Sequence, residues 1–417
     1  MRAMPAMDAM ERVEPSPTHQ CWPANTHVLP SGRLGDKLKP PARECPLMAS
    51  SIQTFDDWVS QFHQWQKDIG YDTSLLGDFG FDAKYAEEDS PVIEFGDYKG
   101  RPKWQTYNQI PNQQVKDALL NLIVYQGDTE FASVEQQRHL IDTAPSDYDR
   151  KSIVRVNAEE MRHGWQMAHL LVNHFGDTGK IEAKKLLERR SWDNERLLGS
   201  FNEPVRHWID FFVFTEFVDR DGKYQLKMLS RSAFSPLARS MGPMLKEEAF
   251  HLGTGHTGLR RIVQAGKIPT GLLQKYINHW VPTAYDLFGK DKSSTAHWAY
   301  VWGLKCRFNE METDDPVDKA MLNDYNRTLY YKECVELMDQ LNSVVPADQP
   351  KLYAPSLKFK RAIGQWEGQK FTVHGEPFQG SEQDYQDYLK SVLPQAEDEA
   401  RLAEILKSND WIAPKGK

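Results

Sequence analysis

The chain has 417 residues, 40% of them apolar and 11% aromatic, and a formal net charge of −8. That length holds one large domain or two ordinary ones, and the acidic balance argues against nucleic acid or an anionic membrane as the main partner. No apolar run approaches the ~18 residues of a membrane helix. Cys21, Cys45, Cys306 and Cys334 fall at neither metal-ligand nor disulfide-framework spacing, so a soluble protein of a reducing, cytoplasmic compartment is expected.

In chain order, residues 1–47 carry eight prolines, from Pro5 to Pro46, and no periodicity. This stretch reads as a disordered extension, and Asp8, Glu11 and Glu14 have the wrong sign for a transit peptide. Thr54 to Ile69 is amphipathic, a first helix. Residues 71–110 are rich in Gly, Asp and Tyr, which predicts irregular structure with a short hairpin near Val92 to Trp104. Pro111 opens a helical pattern that runs to Ile141. Thr143 to Asp147 ends it and caps a second, which runs to Phe175. Lys180 to Arg190 is a short charged helix. Glu203 to Phe234 is strongly apolar and aromatic, and Ser235-Pro236 starts a further helix to Gln264. Gly242-Pro243 should kink that helix or mark its real start. Gly271 to Leu287, Thr295 to Phe308 and Pro316 to Leu341 predict three more helices. Residues 345–380 are mixed, strands or loops, and Gln383 to Lys407 reads as one last helix. The division expected is an all-α domain over 48–345 and a C-terminal extension, 346–417, packing on it.

Glu160 and His163 stand three residues apart on the helix ending at Phe175, and Glu248 and His251 repeat the pair. At that spacing a carboxylate and an imidazole share one helix face. No other histidine of the chain has an acid three residues before it. Glu130 lies as far before Pro145 as Glu160 lies after it, each about 22 Å along a helix from the turn, so an antiparallel hairpin brings the two level. The second hairpin has its turn at Ala233–Phe234, and Glu216, Asp219 and Asp221 compete for the place opposite Glu248; the first two share a face and Asp221 points away. Two hairpins, each with one carboxylate opposite a Glu-x-x-His, make the ligand set of a di-iron or di-manganese bundle. Four carboxylates offset the charge of two divalent cations, and one imidazole per metal leaves open positions for oxygen. Gln126, one turn before Glu130, should face the same cavity and serve the site there. Glu159 and Glu247 adjoin ligands and should face elsewhere. His139, His169 and His174 read as structural.

The segments QGDTEFASVEQQRHL, EEMRHGWQM, FVDRDGKYQL and SAFSPLAR followed by EEAFHL resemble the oxygenase component of benzoyl-coenzyme A epoxidases, relatives of the phenylacetyl-coenzyme A epoxidase catalytic subunits. The likeness covers roughly residues 55–340. It implies a ferritin-like four-helix bundle with Glu130, Glu160, His163, Asp219, Glu248 and His251 as ligands; the aspartate that opens DRDG selects Asp219. It implies two iron ions, with manganese as the alternative, and O2-dependent epoxidation of the ring of an aryl-coenzyme A thioester. Electrons would come from a separate NADPH-dependent reductase, since the chain has neither a Gly-rich dinucleotide fingerprint nor Fe–S cysteine spacing. A homodimer is among the assemblies open to it. The rival expectations are oxygenation of another aromatic ring or an amine, and a non-catalytic metal-binding bundle. For the coenzyme A phosphates the candidate cations are Lys184, Lys185, Arg189, Arg190, Arg260 and Arg261.

Overall fold

In the computed structural model, residues 51–416 are described; the extension expected over 1–47 lies outside them. Helix α1 (Phe55–Asp68) opens on a capping box between Thr54 and Asp57,. Asn112 caps α2 (Gln113–Gln137) by accepting from the Val115 amide, and a 3₁₀ segment, Arg138–Thr143, ends it. Ser146 then caps α3 (Asp147–His174) through the Asp149 amide. The expected hairpin thus forms with its turn at Ala144–Ser146. Trp58, Phe62 and Trp65 of α1 bury their rings against Phe131 of α2, and the first two also against Trp165 of α3, binding that hairpin from one side,. Helix α4 (Gly176–Glu188) packs on α2 and α3.

The second hairpin is α5 (Trp208–Leu229) with α6 (Ser235–Ala265). Its helices approach closely because α6 presents Gly255 and Gly258. A Cβ at Gly255 would fall 2.5 Å from Glu216 N, and one at Gly258 would overlap the Phe212 ring,. The hairpins join along α3 and α6, while α7 (Thr270–Leu287) flanks α5. The architecture is an all-α, ferritin-like four-helix bundle. Among the described residues, β structure is limited to isolated bridges.

Pro243 does not break α6; the helix runs through it. A proline there cannot donate to the carbonyl of Arg239, four residues back. That carbonyl instead accepts from the Ala86 amide at 2.8 Å, and Arg239 Nε returns a hydrogen bond to Ala86 O at 2.9 Å. Gly242 makes room, since a Cβ on it would stand 2.9 Å from Ala86 Cβ. The Gly-Pro pair is therefore a docking notch for residues 84–86.

Three expectations change. The hairpin near Val92 reduces to a bridge between Val92 and Pro102, and Trp104 pairs with Phe234 instead. The helix expected over Thr295 to Phe308 is only α8 (Ser294–Val301); Gly303, at φ +73°, turns the chain so that its carbonyl meets the Ala233 amide,. After α9 (Leu322–Asn342), the last predicted helix is two, α10 (Glu382–Val392) and α11 (Ala396–Ile405), parted at Pro394,.

Candidate metal centre

Each helix of the bundle sends a buried acid to one place: Glu130 from α2, Glu160 from α3, Asp219 from α5 and Glu248 from α6. His163 and His251, both fully buried, follow their glutamates by one turn. His163 Nδ1 lies 3.3 Å from Glu130 Oε2 and 3.9 Å from Glu160 Oε2. His251 Nδ1 lies 3.3 Å from Glu248 Oε2 and 3.6 Å from Glu160 Oε1. Donor atoms of Glu130, Glu160 and His163 fall within 4.8 Å of one another, and so do those of Glu160, Asp219 and His251. Glu160 belongs to both groups, so it would serve both cations of a pair. A cavity of about 40 Å³ adjoins the acids on the α2–α5 side, bounded by Gln126, Thr129, Phe201, Val218, Gly222 and Leu226.

Do these residues fit a pair of cations? Asp219 Oδ2, Glu248 Oε1 and His251 Nδ1 are buried without a hydrogen-bond partner. Buried polar atoms are rarely left so, and those of Asp219 and Glu248 border the same cavity, which points to a shared ligand,. Burial, joined by repulsion from Glu130, drives the Glu160 carboxyl well above the usual range; burial and Glu248 do the same to Asp219. Two divalent ions relieve both effects. The donor set, oxygen-rich with one imidazole on each side, suits iron or manganese.

The histidines are held from outside, and the sequence reading missed how. His163 Nε2 lies 2.9 Å from Glu247 Oε2 on α6, while His251 Nε2 lies 3.1 Å from Glu159 Oε2 on α3. Glu159 and Glu247 therefore do not face away; each crosses to the histidine of the other helix. With Nε2 so engaged, both rings turn Nδ1 inward. Arg162 clamps Glu247, its Nε at 2.9 and 2.7 Å from the two carboxylate oxygens. Arg155 holds Glu159 at 2.9 Å and stacks on Phe250. Although burial opposes it, the Glu159 carboxylate that accepts from Nε2 and the negative charge of Glu248 beside the ring push His251 up to about 10. Glu247, which burial alone would raise, is held at about 2 by His163 and Arg162. The signal was present in the doubled glutamate of both motifs, EEMRH and EEAFH.

Glu159→Gln tests this support: it keeps a hydrogen-bond acceptor for His251 while removing the carboxylate charge, and Arg155, left without its partner, is 53% exposed. Metal affinity, measured by competition with a chelator, should fall roughly 10–100-fold. Unchanged competition would mean that His251 needs no charged outer partner.

Gln126 Nε2 donates to Glu130 Oε1 at 2.5 Å and borders the cavity. Ser133, which the sequence did not single out, donates to Glu160 Oε1 at 3.3 Å and is itself braced by Gln137. Glu216 is drawn elsewhere, with Oε1 3.1 Å from His256 Nδ1 and Oε2 3.3 Å from Arg220. Asp221 accepts from Gln225 and is raised by burial to about 7. His169 bonds Tyr85 and His174 packs on Phe234, whereas His139 Nδ1 lacks a partner. Several candidate phosphate cations prove committed. Arg189 pairs with Asp128, Arg190 donates to the Leu187 and Arg189 carbonyls, and Arg261 grips Asp149 through both guanidinium ends.

Residues 105–352 match the sequence profile of the phenylacetic acid catabolic proteins. The chain is 40% identical over 309 residues to benzoyl-CoA oxygenase component B of Aromatoleum evansii, an alignment covering 63% of this chain and 64% of that protein. It is 24% identical over 259 residues to a 1,2-phenylacetyl-CoA epoxidase subunit of Escherichia coli (strain K12), covering 61% of this chain and 77% of the relative. The chain thus spans just under two thirds of the first relative's length.

Proposed function

The chain belongs to the phenylacetic acid catabolic protein family, and from that membership and its buried carboxylate–histidine cluster we propose that it is the oxygenase component of an aryl-coenzyme A epoxidase. The observation that carries this reading is the gathering of Glu130, Glu160 and His163, and of Glu160, Asp219 and His251, into two buried donor groups that share Glu160, with Glu248 3.3 Å from His251. These six would hold two iron ions, which supply O2 activation when bound and supplied with two electrons. Overall, the arene, O2, two electrons and two protons give the ring epoxide and water.

The protein's own part is placement. Glu159 and Glu247 fix the histidine tautomers, Ser133 steadies Glu160, and Gln126 tethers Glu130 so that this carboxylate can be released or held. Apolar Phe201, Val218 and Leu226 border the carboxylates. The cavity of about 40 Å³ takes O2 or water, whereas an apolar cavity that binds benzene measures roughly 150 Å³. A ring must therefore part the α2–α5 seam to arrive. No helix of the described residues is long and apolar enough to cross a membrane. Because the chain carries no dinucleotide fingerprint or Fe–S cysteine set, a separate NADPH-dependent reductase is proposed as the electron source.

The test is anaerobic iron loading, then one turnover with a chemical reductant, ¹⁸O2 and a panel of acyl-coenzyme A thioesters. Two irons per chain and one labelled oxygen atom in an aryl-coenzyme A product are expected. Labelled product only from free aromatic acids or amines would transfer the site to another substrate class. Metal uptake with no oxygenated product from any substrate would make the bundle a non-catalytic metal binder.

A further inference from the structure

The cavity beside the acids, at about 40 Å³, is too small for an aryl ring, and the part of the α2–α5 seam able to yield is a single side chain. Of the described residues that bound the cavity, Phe201 is the only aromatic one and the only one outside the four bundle helices. It sits in the 3₁₀ segment Gly199–Asn202, on the connection that leads from α4 to α5.

The helices on either side are pinned. On α2, one turn of helix from the cavity, Asp128 accepts from Arg189, Arg196 and the Leu197 amide. On α5, Arg220, Lys223 and Tyr224 all donate to Glu333 of α9. Asp128, Arg196 and Arg220 are buried, so moving either helix would strand buried charges. The backbone around Phe201 is held as well. Gln136 Nε2 donates to the carbonyls of Ser200 at 3.2 Å and Glu203 at 2.5 Å, and the Asn202 side chain exchanges two hydrogen bonds of 3.0 Å with the Arg196 backbone. The ring itself is held lightly. Among the described residues it meets one other ring, Phe214, edge-on at 6.1 Å, whereas Phe131, packed on α1, meets Trp58, Phe62 and Trp65. A ring on a fixed backbone still moves by changing rotamer.

We propose that the Phe201 side chain occupies the place of the substrate's aryl ring and gives way to it, so that this residue sets the size of ring the site admits. This rests on the aryl-coenzyme A reading above. A phenylalanine side chain is a benzene ring on one methylene. Its departure therefore adds room for one six-membered ring, beside Val218 and Leu226, to the cavity already there; a fused pair of rings does not fit in the same space. Gly222 keeps that room open toward Glu248, since a Cβ on it would stand 3.5 Å from Oε1. Apparent affinity for the ring is lowered by the small fraction of molecules in which Phe201 stands aside.

Position 201 labelled with 4-fluorophenylalanine reports the ring directly by fluorine NMR in the full-length, metal-free protein. Titration with benzoyl-coenzyme A, and separately with benzene, should shift the resonance to a second position, one that a soluble paramagnetic agent broadens more strongly. A resonance that neither probe moves at millimolar concentration overturns the proposal, even if thioester turnover stands. Movement with benzene and not with the thioester upholds the displaced ring and overturns its assignment to an aryl-coenzyme A substrate. The specificity role is read on the loaded enzyme with Phe201→Ala. Its kcat/KM for a naphthoyl thioester relative to the benzoyl thioester should rise about tenfold or more. Both substrates see the same preparation, so any loss of folded protein from the void cancels in the ratio. Phe201→Leu, which leaves a smaller void, should show a lesser rise. An unchanged ratio in both variants overturns the role of Phe201 in ring size.

Discussion

Glu160→Gln should abolish two-metal loading and O2-dependent turnover, with activity falling by more than about 100-fold, since losing even an outer partner of a metal ligand costs 10–100-fold. Glu160 is the residue common to both donor groups, so its loss would take a ligand from each of the two sites. The fold should not suffer. In the metal-free protein the Glu160 carboxyl is pushed well up by burial and by Glu130, and a neutral amide of the same shape avoids that penalty. Expected together are a metal content below two per chain, lost turnover, and a metal-free Tm equal to or above that of wild type. Full loading with two metals in this variant would contradict the bridging role.

The same shifts fix a pH dependence. Glu160 and Asp219 are raised by burial and by neighbouring acids. Between the ordinary carboxylate pKa, about 4, and their folded values, the metal-free fold keeps protons that the unfolded chain has released. Its stability from these groups is therefore complete below about pH 4 and is lost as pH rises through the folded values. Glu130 behaves oppositely: burial would raise it, but His163 outweighs that and holds it low. Bound cations displace the retained protons. The gain in Tm on metal loading should thus grow from about pH 5 to 8, with protons released on uptake, and should be flatter with pH in Glu160→Gln. A gain independent of pH would mean that the acids are ionised before the metal arrives.

What could be read from the sequence was what depends on local periodicity. The turn beside Pro145 and the Ser235-Pro236 start placed two hairpins, and helix geometry then put Glu130 level with Glu160. Contacts between distant segments were not legible. Pro243 argued for a kink or a later helix start because nothing in its neighbourhood announces that the Ala86 amide, far back in the chain, takes over the orphaned Arg239 carbonyl. Glu159 and Glu247 pointed away from the site by helix arithmetic on their own helices. Each serves the histidine across the α3–α6 interface, a relation visible only when both helices are placed. The cations of α4 looked free for the same reason: Asp128, the partner of Arg189, lies on α2. Pro394, by contrast, was a local signal sufficient to divide the last helix, and the acidic amphipathic pattern on both sides of it masked the break.

Asp219 and Glu216, one turn apart on α5, should separate cleanly into a metal ligand and a structural acid. Asp219 Oδ2 is buried without a partner beside Glu160 and His251, and burial keeps its carboxyl well above the usual range. Asp219→Asn should lose metal and activity while the metal-free protein melts where wild type does or higher, because the amide removes a disfavoured buried charge. Glu216 is equally buried but lies between His256 and Arg220. Neutralising it as Glu216→Gln leaves Arg220 deprived of one buried counter-charge, though Glu333 at 2.6 Å still serves it. The loss should therefore be partial, about 1–3 kcal/mol of stability, with two metals still bound. Metal analysis and thermal melts on the two variants decide the matter. If Glu216→Gln loses metal and Asp219→Asn retains it, the ligand on α5 lies one turn nearer the helix start, and the orphaned oxygen of Asp219 would need another explanation.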